Sequence, residues 1–123
     1  MLPEINRLKS NNDFKKILER GRISENEFIK IKFLKNYKNY SRIGFVVGNK
    51  FDLRAAARNL FKRRLRAAAC FLLKDIKTGF DIMVWPKVSL KKCDYQTLLN
   101  NFKELLTNND ILFIQWNFLS AAF

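Results

Sequence analysis

Histidine is absent from the 123 residues, which removes the commonest general base and metal ligand and any Ser-His or Cys-His pair. Carboxylates are few, 11 against 24 lysines and arginines. They are also scattered. Glu25 and Glu27 precede a strand-like segment, Asp52 and Asp81 fall at element boundaries, and Asp110 stands alone, so no spacing resembles a two-metal cluster. The four glycines, Gly21, Gly44, Gly48 and Gly79, are isolated from one another, which excludes a glycine-rich phosphate loop. Cys70 and Cys93 are too few for a disulfide framework and lack the paired spacing of a zinc site, so a reducing cytoplasmic setting is expected. The longest apolar run, Ala67 to Leu73, is far shorter than the roughly 20 residues that span a bilayer. The opening "MLPEINRLKS" carries no apolar signal core, so neither export nor membrane insertion is expected.

What the chain does have is positive charge and phenylalanine. The formal charge is +13, apolar residues make up 48%, and 12 residues are Phe. A disordered basic tail would not carry so much apolar surface, and compaction of like charges is relieved by a polyanionic partner. A single folded basic domain over residues 1–123 is expected, with the tail 107–123 left open between a final strand and a loose apolar segment.

"NNDFKKILERG" predicts a short helix, Asp13 to Arg20, capped by Asn12 or Asp13 and ended by Gly21. "EFIKIKFLKN" alternates with period two, sending Ile29, Ile31 and Phe33 to one side and Phe28, Lys30 and Lys32 to the other. After the turn residues "NYKNY", the segment "SRIGFVVGN" reads as a second strand, expected to form an antiparallel hairpin with the first. From Leu53 to Asp75 the period becomes helical, with Gly79 in "KTG" expected near the C′ position. "FDIMVW" reads as a strand closed by Pro86, and a loop "KVSLKK" follows. Asp94 caps a last helix in which Tyr95, Leu98, Leu99, Phe102, Leu105 and Leu106 recur at helical steps. This order implies an α+β fold, a two-layer α/β sandwich with helices packed on a small mixed sheet.

The segment Arg58 to Arg66, "RNLFKRRLR", holds five cations and no acid. On a helix Arg58, Lys62 and Arg66 form one stripe with Asn59 and Arg63 beside it. Ala57, Leu60, Phe61, Leu65, Ala68, Phe71 and Leu72 gather opposite. Arg64 falls toward the apolar side, where its stem can pack while its head reaches water. A merely solvated face would mix signs, and a membrane-surface helix would need an apolar side that this small core requires for itself. Guanidinium forks and an amide along one acid-free stripe suit phosphates, with affinity supplied by counterion release. A second surface, Phe28, Lys30 and Lys32 near Phe14, sets aromatic rings beside cations, which suits unpaired nucleotides and favours RNA over DNA.

In the order of its segments the chain resembles the protein subunit of bacterial ribonuclease P. The resemblance runs through "LPEINRLKSNNDFKKILERGR", "RIGFVVGNK", "ARNLFKRRLR" and "DIMVWPK" to the last helix, covering Leu2 to Leu106. It implies a cytoplasmic subunit that binds a large catalytic RNA and helps it remove the 5′ leader from precursor tRNA, the RNA hydrolysing the bond with Mg2+. It further implies a ribosomal-protein-like sandwich with a left-handed crossover. The family's Arg-Asn-rich motif falls on Arg58, Asn59, Lys62, Arg63 and Arg66, with Lys50 and Arg54 at cationic positions just ahead. The leader cleft falls on Phe14, Leu18, Phe28, Lys30 and Lys32. Leu60 and Ala67 depart from the family pattern, which carries a basic residue after the Asn and an acid after the final Arg. A structural ribosomal-type RNA-binding protein is the alternative that shares size, charge and fold.

Overall fold

A computed structural model describes residues 2–87 and 93–113. The chain opens with a 3-10 turn, Glu4–Asn6, and helix α1, Asn11–Arg20. Strands β1, Arg22–Glu25, and β2, Ile29–Lys35, follow, then β3, Arg42–Phe45. Helix α2, Ala55–Leu72, continues into a 3-10 turn, Leu73–Asp75. Strand β4, Phe80–Pro86, and helix α3, Tyr95–Asn108, complete the order.

Helix α1 starts two residues earlier than its pattern predicts, because the cap is neither Asn12 nor Asp13. Ser10 takes extended backbone angles and its hydroxyl accepts the Asn12 N–H at 3.2 Å, meeting one of the donors that the first turn leaves free. Gly21 ends the helix through close approach: a Cβ there would lie 2.5 Å from the Ile17 carbonyl oxygen.

The sheet order is β1-β2-β4-β3, which corrects the expected hairpin of β2 and β3. Strand β4 lies between them, antiparallel to β2 from Ile29↔Pro86 to Lys35↔Phe80 and parallel to β3 from Arg42↔Asp81 to Phe45↔Val84. The physical reason lies in β4 itself. Asp81 to Val84 are all buried, and a strand with two dry faces takes a central place. The "NYKNY" loop therefore steps over the start of β4, held there by Asn36 N–H to Gly79 O at 2.8 Å and by Ser41 Oγ to Lys77 O at 2.6 Å.

The hairpin that does form joins β1 and β2, from Arg22↔Phe33 to Glu25↔Lys30. "RISE" was too short and too polar to read as a strand. Asn26 closes its turn, its Oδ1 accepting the N–H of Phe28 at 2.9 Å and of Ile29 at 3.0 Å. That bend breaks the alternation before Ile29, so Phe28 does not share a face with Lys30 and Lys32. It packs instead against the main core.

That core lies between the sheet and the pair α2 and α3. Ile29, Ile31, Phe33, Ile43, Ile82 and Val84 meet Phe61, Leu65, Leu72, Leu98, Phe102 and Leu106. The opposite sheet face is only partly covered, by α1, whose Ile17 packs with Leu8 and Met83 beside Phe14, Leu34, Val46 and Trp85. Phe71, expected inward, is 57% exposed with the Lys74 ammonium 5.6 Å from its ring. The buried stripe follows Phe61, Leu65 and Leu72, and ten residues beyond Phe61 the helix has carried Phe71 about 80° off that direction. Gly79 is not a helix cap either. Ile76 follows the 3-10 turn, and Gly79, at φ +94°, serves the turn into β4. Asp94 does cap α3, its Oδ1 accepting the Thr97 N–H at 2.8 Å. Of the tail, Ile111 and Leu112 are buried and Leu112 bridges to Ile76. The loop residues 88–92 and the tail from residue 114 lie outside the described residues.

Candidate nucleic-acid interface

Helix α2 has no acid in its first turn and no side-chain cap, so its start is organised by the preceding loop. Asp52 Oδ1 accepts the Arg54 N–H at 2.8 Å, and the Arg54 guanidinium returns to the same carboxylate at 3.1 and 2.9 Å. Hydrogen bonds from the Arg54 side chain and backbone hold Asp52 down to about 2 from an ordinary 3.8. Arg58 Nη1 donates to the carbonyls of Asp52 at 2.9 Å and Leu53 at 2.8 Å. Two of the expected anchors thus shape the turn as well as carrying charge.

A depressed carboxylate pKa stabilises the fold above its unfolded value and loses that contribution as pH falls through its folded value. The Asp52 clamp is therefore intact above the ordinary 3.8 and lost as pH falls toward about 2. The Arg54 side-chain resonances followed by NMR should change in that window, and in Asp52→Asn they should not.

Farther along, Lys62 is half-buried while Asn59, Arg63 and Arg66 are exposed. Among the described residues the side chains of Lys62, Arg63 and Arg66 make no ion pair and no hydrogen bond. Unpaired like charges within one helical stripe repel. Arg64, the misfit, is half-buried, with Nη1 3.4 Å from the Cys93 carbonyl.

Lys62 and Arg66 open onto a groove of about 350 Å³ floored by Leu8, Phe14, Ile43 and Gly44, with Arg7 and Lys9 on its rim. Gly44 makes room for the ring. A Cβ at that position would sit 2.8 Å from Phe14 Cε1 and 3.2 Å from Leu8 Cβ. Gly44→Val is expected to displace Phe14 and to lower stability by about 1–3 kcal/mol through overpacking. Denaturant unfolding and the Phe14 ring shifts measure the two effects.

The structure therefore sets Phe14 beside the α2 cations, whereas Lys30 and Lys32 lie elsewhere on the α1-side face. The Lys32 ammonium donates to the Leu18 carbonyl at the end of α1. Lys30 lies opposite Trp85 in the ladder, its ammonium 5.3 Å from the ring centroid, a cation–π arrangement. Leu18 is half exposed. Phe28, as described above, belongs to the other face.

Trp85 is the residue that sequence reasoning missed. It shares its sheet face with Met83 and Lys30, a period-two signal hidden within the continuous apolar run of β4. It also walls a cavity of about 420 Å³ beyond the carboxyl ends of the parallel strands β3 and β4, with Gly48, Asn49, Lys50, Phe51 and Lys87 around it. That position is the usual ligand crevice beside parallel strands. Lys50, which the family resemblance implies as a cationic contact, is exposed on its rim.

The described residues hold no group of three His, Cys, Asp or Glu side chains placed to bind a metal ion. Burial raises the pKa of Cys93, the reverse of what a reactive thiol needs. No helix of the described residues is long and apolar enough to cross a membrane. What the geometry offers is cationic rims around aromatic floors.

Comparison with known proteins points the same way. The family model described as Ribonuclease P matches residues 2–110. The ribonuclease P protein component of Pseudanabaena sp. is 36% identical over 113 residues, covering 91% of this chain and 97% of that protein. The one from Thermotoga maritima is 36% identical over 104 residues, covering 81% and 88%. A solved structure of the T. maritima RNase P protein superposes with a TM-score of 0.75 at 35% identity, covering 83% of this chain and 96% of that one. The Staphylococcus aureus protein, at 24% identity, shares the fold with a TM-score of 0.77.

Proposed function

The chain belongs to the ribonuclease P protein family, and we propose that it is the RNA-binding subunit that helps a catalytic RNA remove the 5′ leader from precursor tRNA. The observation that carries this reading is the shared groove: Lys62 and Arg66 of the unpaired α2 stripe border the same space as Phe14. Phosphate neutralisation and contact with an unpaired base are thereby offered side by side.

In this reading Lys62, Arg63 and Arg66, with Asn59, meet the catalytic RNA. Arg54 and Arg58 hold the helix start in position and add their charge. Phe14 and Leu18, continuing through Lys30, Trp85 and Lys50, offer the leader a path from groove to cavity. The protein contributes binding and orientation, which turns a bimolecular encounter into a positioned one. Mg2+ is assigned to the RNA, because the carboxylates at hand, Asp13, Asp52 and Asp81, each face an arginine. The setting proposed is the cytoplasm.

The ribosomal-type alternative is not favoured by the family match. RNA retained by the chain on purification from its own cells should be one large RNA together with tRNA precursors. Ribosomal RNA as the main species would overturn the assignment. The isolated chain should leave precursor tRNA uncut, and cleavage by it alone would overturn the non-catalytic role.

A further inference from the structure

At the far end of the sheet, away from the groove at α2, the carboxyl end of β2 and the start of β4 border a cavity of about 740 Å³. Arg20, Arg22, Lys35 and Lys77 contribute cations to it, and Asp110 the single carboxylate. Asp110 is engaged by Lys77 at 2.7 Å. Arg20, Arg22 and Lys35 are exposed, and their side chains make no ion pair or hydrogen bond among the described residues.

Over this cavity stands Tyr37, 92% exposed and at φ +58°. A bulky residue in the left-handed region is strained, and glycine or asparagine would occupy the position at lower cost. The neighbouring residue makes the loop rigid. Asn36 Oδ1 accepts the Lys38 N–H at 2.8 Å, and its amide donates to Tyr40 O at 3.2 Å and to the buried Asp81 carboxylate at 2.8 Å. A loop closed on itself by two of these bonds and tied to β4 by the third thus presents an almost fully exposed ring. Strain held by a surrounding network is a feature of binding sites.

We propose that this end of the protein is a second RNA-binding surface, in which an unpaired nucleobase stacks on Tyr37 while Arg20, Arg22 and Lys35 take the flanking phosphates. The proposal rests on the RNA-subunit reading for its class of ligand, and it lets one chain hold two RNA segments at opposite ends of its sheet. A rigid, exposed aromatic among unpaired cations fits single-stranded RNA better than an acidic peptide, which offers no planar group to stack.

The test uses the full chain and a single-stranded oligoribonucleotide carrying 5-iodouridine, with photocrosslinked residues mapped by mass spectrometry. A crosslink at Tyr37 that persists in Lys62→Ala/Arg66→Ala is expected. Crosslinks at Phe14 or Trp85 with none at Tyr37 would overturn this proposal and leave the RNA-subunit reading standing. No crosslink and no binding anywhere would sink both. Tyr37→Gly should weaken oligonucleotide binding about tenfold, with an unfolding temperature unchanged or raised because the backbone strain is relieved. Tyr37→Phe should bind as the native chain does. Unaltered binding in Tyr37→Gly would overturn the proposal. So would equally tight binding of polyglutamate that the same substitution abolishes, which would assign the surface to an acidic protein.

Discussion

Asp81→Ala is expected to cost about 3–5 kcal/mol of stability, the range for stranding one partner of a buried ion pair. Asp81 is 5% exposed, and its carboxylate takes the Arg42 guanidinium through two bonds, Nε at 2.8 Å and Nη2 at 2.6 Å. The hydrogen bonds that the guanidinium donates to Asp81 raise the Arg42 pKa still further, and arginine is in any case effectively always charged. Without Asp81 that charge keeps, among the described residues, only Asp13, 3.0 Å from Nη1, and the Asn36 amide loses its bond at 2.8 Å. Three elements are loosened together: α1 through Asp13, β3 through Arg42 and the loop through Asn36. For a chain of 123 residues the melting temperature should fall by about 10–20 °C. Replacing both partners, as in Arg42→Met/Asp81→Leu, should recover most of the loss, because no buried charge is then left unpaired. Calorimetry on the two variants distinguishes this account from one in which Asp81 merely fills space.

Substituting Lys62, Arg63 and Arg66 together by alanine should reduce the slope of log affinity against log salt by about two, at about 0.7–0.9 for each phosphate no longer neutralised. Across a fourfold rise in salt, the native chain should then lose over tenfold more affinity than the variant. The fold should tolerate the change, since Arg63 and Arg66 are exposed and surface substitutions away from caps and cores typically stay within about 0.5 kcal/mol each. Arg58→Ala should behave differently. Its guanidinium closes the Asp52–Leu53 turn, so part of its effect will be a frayed helix start, visible as faster amide exchange in the first turn of α2.

How much of this was legible in the sequence follows from what each signal depends on. Helices α2 and α3 and strand β4 were readable because their signals are local: composition, a capping aspartate, a closing proline. The alternation of β2 correctly sent Ile29, Ile31 and Phe33 inward, but it could not place Phe28, because the bend at Asn26 is made by one side chain accepting two amides. Strand β1 was missed because "RISE" has almost no apolar content and draws its hydrogen bonds from β2. The sheet order escaped patterning for a different reason. Insertion of β4 between β2 and β3 depends on pairing between segments far apart in sequence, and the family resemblance alone anticipated a crossover there.

The candidate interface divides in the same way. The acid-free stripe of α2 was visible as a helical spacing, and Phe14 as an aromatic in a basic setting. That Phe14 meets Lys62 and Arg66 across Gly44, and that Lys30 meets Trp85 across two strands, are consequences of register that no single segment encodes. Arg54 and Arg58 carried the right charge, yet their hydrogen bonds to the Asp52 turn depend on how the loop before α2 folds.

Cleavage of precursor tRNA by the cognate catalytic RNA at low magnesium tests the central claim most directly. Addition of the native chain should raise the rate markedly, and addition of the Lys62→Ala/Arg63→Ala/Arg66→Ala variant should raise it far less. Equal stimulation by the two proteins, or none by the native chain, would contradict the account.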